Sequence, residues 1–414
     1  MKLRPRVPTR TALGVLVVTA LLCAMGAVGT AAAAGSVRGF DGSTVKIAGI
    51  GIGTNFGKAD VGTQARVKRF NDDKEIKGVQ ISYGGFTDDK QDPAVSLSEV
   101  RRLVTQEQVF ALVPDLSATN PGDYLRQQHV PYFGWAFDGT YCSTKIDKSL
   151  YGFGYNGCLV PQNPSVMGDG GRAAYSFVSQ KTGKKHPTLA IFSNDQPSGK
   201  LSVSTQSVAY QGAGFDVVAK QNKMPFPVDD FTPYVQALLT SDNGKAPDAI
   251  VCLLATDCIA TYTMLKANGY AGTYVSSLYS SFLTKAMDGS AANINFVNPS
   301  ENTAGLRQLK KDVAAVQPDA QIDSGVVASY AATDMFIQAL KTIAKKGKSN
   351  ITPENLQKAA MNQTWKIDGL AGPITYPNST AAPYPTCNAE VQSDGTAWNT
   401  VTPFACSKKQ FKVS

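Results

Sequence analysis

The sequence predicts an α/β protein of two lobes, each carrying a parallel central sheet. Three observations predict it. From residue 45 short β-branched runs alternate with amphipathic stretches, and after the glycine-rich MGDGG the same alternation begins again. The 414 residues, 43% apolar and only 17% charged, are enough for two ordinary cores.

The N-terminus comes first. Lys2, Arg4, Arg6 and Arg10 precede an uncharged stretch from Thr11 to Ala34 that ends in TAAAAG, so residues 1–34 read as a signal peptide cleaved near Gly35. The expected location is extracytoplasmic, secreted or in the cell envelope. Two alternatives stay open: the stretch is long enough to span a bilayer uncleaved, and Cys23 offers a lipid tether, although bulky Leu22 stands where lipoprotein signals carry a small residue.

The first series runs VKIAGIGI, a helical segment near 60–72, VQISYGG, DPAVSLSEVRRLVTQEQ and VFALVPD. Its second helix is well marked. Asp92 stands as N-cap and Pro93 at the first helical position, and Leu97, Val100, Leu103 and Val104 recur at the spacing of a buried face. The flanking strands should be parallel neighbours. The second series has helices near 171–181 and 198–211 around TLAIFSN, then FDVVAKQ, FTPYVQALLTS, AIVCLLA, DCIATYTMLKANG and TYVSSLY. A third, mostly helical series from ENTAGLRQLKKDVAAV to PENLQKAAM should complete the first lobe, and the Pro, Ser and Thr-rich segment after Leu370 should cross back to the second. The expected lobes are therefore 41–157 with 294–370, and 158–293 with 371–414.

The net charge of +8 falls to about +4 once residues 1–34 are removed, because 36 basic then face 32 acidic residues. No basic run points to nucleic acid, and no stretch after the signal is long and apolar enough to cross a membrane. Six cysteines remain in three sequence-local pairs, Cys142 with Cys158, Cys252 with Cys258 and Cys387 with Cys406, and in an exported chain these read as disulfides. His129 and His186 lie far from each other and from any cysteine, so no metal and no cofactor is expected.

Open α/β sheets bind ligands beyond the carboxyl ends of their strands. At one such end stands VPDLSATNPGDYLRQQHVPYFGWAFDG, residues 113–139. Ser117 and Thr119 offer hydroxyls, Ala118 leaves the backbone accessible, and Pro121 suits the first turn of a helix, whose free amides attract anions. These residues equally suit helix capping. The next strand ends with Trp135 and Phe137 around Ala136, either as ligand platforms or as ordinary core.

IGTNFGKADVGTQARVKRFND, the SATNP turn before PYFGW, IFSNDQPSGK and DDFTPYVQALLTSDNGKAPDAIVCLL together resemble the leucine/isoleucine/valine-binding group of type I solute-binding proteins, over about residues 44–370. The resemblance implies two Rossmann-like lobes joined by a multi-strand hinge, the type I periplasmic binding protein fold. It also implies capture of a small solute by a monomer and delivery to the permease of an ABC transporter. By position, Ser117, Ala118, Thr119 and Ala136 would hold a ligand carboxylate, and Phe56 would supply an aromatic from the first loop. Asn194, Asp195, Ala255, Thr256 and Tyr279 would reach the crevice from the second lobe.

Two departures stand against an ordinary aliphatic amino acid: Phe137 replaces a usual hydroxyl, and Tyr279 stands near where a carboxylate often meets the ammonium group. The expected ligand is a carboxylate with an aromatic or bulky apolar body, packed on Phe56, Trp135, Phe137 and Tyr279, or an amino acid with Asp195 as counter-charge. Trp135→Ala is expected to weaken binding more than it weakens the fold. An extracellular sensing domain that presents solute to a membrane receptor is the alternative function on the same fold. An enzyme is not expected, because no G-x-S-x-G elbow appears and neither histidine sits at a strand end beside a serine. GIGIGTNFG lacks the full dinucleotide spacing.

Overall fold

The computed structural model describes residues 37–137, 139–142, 150–161, 165–254, 257–376 and 386–413. The expected signal segment with Cys23, and Ala255 and Thr256, lie outside them.

The first sheet has five parallel strands, β1 (Thr44–Gly51), β2 (Gln80–Asp88), β3 (Ala111–Leu116), β4 (Tyr132–Gly134) and β5 (Gly152–Gly154), in the order β2-β1-β3-β4-β5. After it comes β6 (Val166–Gly168). The second sheet contains β7 (Thr188–Asn194), β8 (Asp216–Met224), β9 (Ala249–Cys252), β10 (Thr273–Ser276) and β11 (Ala291–Ile294), again parallel. A hairpin of β12 (Thr364–Ile367) and β13 (Ala371–Thr375) follows. Then β14 (Thr386–Ser393) and β15 (Trp398–Ser407) add two antiparallel strands, giving β15-β14-β11-β10-β9-β7-β8. Finally β16 (Gln410–Lys412) pairs with β6.

Parallel strands need crossovers, and helices cover both faces of such sheets, which is why β3 and β9 are buried at every position. The helix Pro93–Thr105 forms as its signals predict, but its flanking strands β2 and β3 are parallel without being the expected neighbours, because β1 lies between them where the strand order reverses. Asp92 accepts hydrogen bonds from the amides of Ala94 and Val95, Pro93 sits in the first turn, and Val100, Leu103 and Val104 are buried, with Leu97 half-buried. The long helix Ser324–Ala344 is apolar nearly all round because it lies between the first sheet and the helix Ala59–Asp72.

The charges on that contact are paired. Arg66, 3% exposed, reaches Asp334 at 2.7 Å and Glu75 at 2.6 Å, Lys341 binds the other oxygen of Glu75, and the Trp365 indole donates to Asp334 at 3.0 Å. Through Trp365 this network holds the β12–β13 hairpin, and the Tyr376 hydroxyl just beyond it donates to the Gly154 carbonyl of β5. A boundary at 370 therefore falls inside a hairpin anchored on the first sheet's side. The three cysteine pairs are bonded as expected. Cys142 joins Cys158, which ties the turn after β4 to the segment after β5. Cys252 at the end of β9 joins Cys258 in the first turn of the helix Asp257–Ala267, and Cys387 of β14 joins Cys406 of β15 across the antiparallel pair. Among the described residues no helix is long and apolar enough to cross a membrane.

Candidate functional site: a neutral cavity at the strand ends of both sheets

In each sheet the chain reverses its strand order around the first strand, between β1 and β3 and between β7 and β9. Flanking loops diverge at such a point and leave a crevice at the carboxyl edge. A cavity of about 210 Å³ lies there, bounded by the residues that follow β1, β3 and β4 on one side and β7, β9 and β10 on the other.

On the first side the walls are aromatic. Gly53 follows β1 where a Cβ would sit 2.6 Å from the Asp88 carboxyl carbon, and its amide donates to that carboxylate at 2.9 Å, turning Asn55 and Phe56 toward the cavity. Phe56 lies 5.6 Å from Trp135 and 5.8 Å from Phe137, and the last two rings are stacked at 5.5 Å with 10° between their planes. Tyr155 meets Trp135 edge-on from behind. Trp135 is only 8% exposed, so it is both cavity wall and core.

On the second side the walls are amides and hydroxyls. Asn194 ends β7, and Gln196, Ser198 and Ser202 come from the start of the helix Pro197–Ala213. That helix approaches closely because Gly199 leaves room for Asn194: a Cβ there would fall 2.3 Å from the side-chain oxygen. The cavity continues beneath the helix as a deeper limb between Gln206 and Tyr210 on one wall and Asn293, Asn295, Thr386 and Asn388 of the second sheet on the other.

Six of the expected residues line the cavity together: Phe56, Ala118, Trp135, Ala136, Phe137 and Asn194. Four do not. Ser117 is fully buried and its hydroxyl donates to Asp89, a buried carboxylate just after β2, which Thr119 also approaches at 3.5 Å. Two of the turn's amides are likewise engaged, Ser117 with Asp115 at 3.1 Å and Thr119 with the Ser117 hydroxyl at 3.1 Å. The expected anion site is thus turned onto two carboxylates of the protein itself, and the helix after Pro121 is only six residues long. Burial raises the pKa of Asp89, against hydrogen bonds from Ser117 and Gln91 that lower it.

Asp195, just past the end of β7, is exposed, and Asn194 takes the inward position. Tyr279 is buried away from the cavity, its ring 5.7 Å from both Phe296 and Trp398 and its hydroxyl 3.3 Å from Asn298. Of the disulfide cysteines, Cys252 reaches the cavity wall, whereas Cys142, Cys158, Cys258, Cys387 and Cys406 stand outside it and brace the elements that carry the wall. The deep limb was not anticipated. Its signal is the alternation of asparagine with apolar residues in NINF and of polar with other residues in TCNAE, which sets Asn293, Asn295, Thr386 and Asn388 on one sheet face.

Among the described residues, no side chain lining the cavity is Asp, Glu, Lys, Arg or His, and no cluster of His, Cys, Asp and Glu could hold a metal. Two ionisable groups stand behind the limb: the Arg172 guanidinium, which donates to the Asn388 side-chain oxygen at 2.8 Å, and Glu390, fully buried, whose carboxyl accepts from Asn293 at 2.9 Å and whose pKa burial pushes up to about 8.

No curated protein matches the chain in sequence. Solved structures match its fold. It is similar to a fatty acid ABC transporter substrate-binding protein from Thermomonospora curvata (17% identity, TM-score 0.69, 90% of this chain and 95% of that one). It is similar also to a branched-chain amino acid transporter substrate-binding protein from Streptococcus pneumoniae in complex with isoleucine (18%, 0.64, 87% and 100%). A third is an ABC transporter solute-binding protein from R. palustris in complex with benzoate (13%, 0.64, 88% and 98%). Residues 44–396 match the family described as periplasmic binding protein, and with two switch-point sheets facing one cavity the chain belongs to that family, in its type I form.

Proposed function

We propose that the protein is an extracytoplasmic carrier, not an enzyme, that captures one small solute in this cavity and delivers it as a monomer to the permease of an ABC importer. The observation that carries the reading is the position of the cavity, whose walls come from the strand ends of both sheets. A solute touching both sides favours the closed arrangement over an open one. The relatives support the class of work, since their names describe carriers of a fatty acid, isoleucine and benzoate.

The body of the solute is aromatic or bulky and apolar, and lies on Phe56, Trp135 and Phe137, whose faces bury large apolar area. A carboxylate at the hydroxyl turn, the arrangement the sequence suggests, meets Asp89 there instead of free donors. A free amino acid finds no charged side chain for its ammonium group among the described lining residues, and burying an unpaired charge is costly.

The test is a thermal-shift panel of amino acids, aromatic acids, neutral aromatics and fatty acids on the mature protein, followed by small-angle scattering with the strongest stabiliser. Stabilisation with a smaller radius of gyration is expected. A panel without effect, or tight binding without compaction, would overturn the reading.

A further inference from the structure

The deep limb has a polarity that follows from how its amides are anchored. The Gln206 side-chain nitrogen donates to the Leu159 carbonyl at 2.9 Å, and that of Asn295 to the Cys387 carbonyl at 3.2 Å. A main-chain carbonyl only accepts, so each amide nitrogen must face its wall and each amide oxygen is held away from it. Asn293 donates to the Glu390 carboxyl at 2.9 Å. Nearer the mouth, the side-chain oxygen of Asn55 is buried without a hydrogen-bond partner among the described residues. At the hydroxyl turn the Ser117 and Thr119 hydroxyls are directed to Asp89. Where Gln206 and Asn295 are anchored, the limb therefore presents amide oxygens, and among the described residues no charged side chain lines it.

We infer that the limb is a subsite for hydrogen-bond donors of an uncharged solute, hydroxyl or amide N–H groups carried on a tail that extends from the aromatic wall to Gln206 and Asn295. The inference rests on the solute-capture reading and gives that solute its polar end. A carboxylate entering the limb brings further acceptors and leaves the amide oxygens unmatched; a neutral donor satisfies them, and a site built to hydrogen-bond one group discriminates strongly against a solute lacking it.

A matched trio tests it by calorimetry: 4-phenylbutan-1-ol, 4-phenylbutyrate and 4-phenylbutylamine, which share an aromatic body and differ in the tail end. The alcohol is expected to bind the mature protein at least about tenfold tighter than the carboxylate. Gln206→Met and Asn295→Leu, both close in volume, are each expected to reduce alcohol affinity about tenfold while changing that of the carboxylate less than about threefold. Far-ultraviolet melting shows whether each variant is folded, and either variant alone suffices. Tighter binding of the carboxylate overturns the inference; so does no binding of the alcohol, or alcohol affinity unmoved in the folded variants. Tighter binding of the amine replaces a neutral donor subsite by a cation subsite and overturns it as well. Failure here leaves solute capture standing if any member of the wider panel binds with compaction, and removes both readings if none does.

Discussion

Replacing Glu390 by Gln isolates one buried proton. The carboxyl is fully buried on β14, and its neighbours are the Asn293 amide, which donates to it at 2.9 Å, and the Tyr210 hydroxyl on the helix above, whose own pKa is raised by burial and by this carboxyl. Its pKa rises from 4.5 to about 8, and each unit is worth about 1.4 kcal/mol. The folded pKa lies above the unfolded one, so the native state holds the proton more tightly and stability falls as pH rises between the two values. Glutamine copies the neutral form. The stability difference between Glu390→Gln and the natural protein should be near zero below pH 4.5, grow by about 1.4 kcal/mol per pH unit, and level off at about 5 kcal/mol above pH 8. Urea unfolding followed by circular dichroism from about pH 4 to 9 measures it, and contributions of all other groups cancel in the difference. Parallel profiles for the two proteins would refute a buried neutral carboxyl at this position.

Three further outcomes are expected. Trp135→Ala removes a ring packed on Phe56, Phe137 and Tyr155, so it should cost about 3–5 kcal/mol in chemical denaturation, at least as much as it weakens solute binding; a loss confined to affinity would place the ring outside the core. Arg66→Ala leaves Glu75 and Asp334 without their shared cation in a buried site and should destabilise by about 3–5 kcal/mol in the same assay, whereas a change below about 1 kcal/mol would mean the pair is solvated. Asp89→Asn removes the charge that holds the Ser117 and Thr119 hydroxyls, and calorimetry with benzoate should show about tenfold tighter binding than in the natural protein; unchanged affinity would show that Asp89 does not set the charge preference of the turn.

The sequence alone determined the main strands and helices of the two βαβ series, because periodicity and caps are local, whereas the short strands β5, β6 and β11 and the C-terminal strands β12 to β16 carry no such signal. Alternating β-branched runs and amphipathic stretches carry the βαβ order, and Asp92 with Pro93 marks a helix start that the structure reproduces. The pairs Cys142–Cys158, Cys252–Cys258 and Cys387–Cys406 were legible for the same reason, since the bonds close short sequence spans of 16, 6 and 19 residues. Trp135 and Phe137 could be put at the cavity wall because a residue at a strand end needs only the strand's limits to be placed, and Phe56 by the family resemblance of the first loop.

Tertiary structure alone decided what the polar residues face. The hydroxyls of Ser117 and Thr119 turn to Asp89, 28 and 30 positions away in sequence, and no local pattern states that the end of β2 comes to lie beside the end of β3. Tyr279 carries the right chemistry at the right strand end, yet Trp398, 119 positions later, offers it an apolar surface. The deep limb joins a helix at 197–213 to strands at 291–294 and 386–393, so its amides converge only after distant segments pack. Hydrogen-bond direction is set by whichever partner the fold brings within about 3 Å, and that partner lies outside any local window of the sequence.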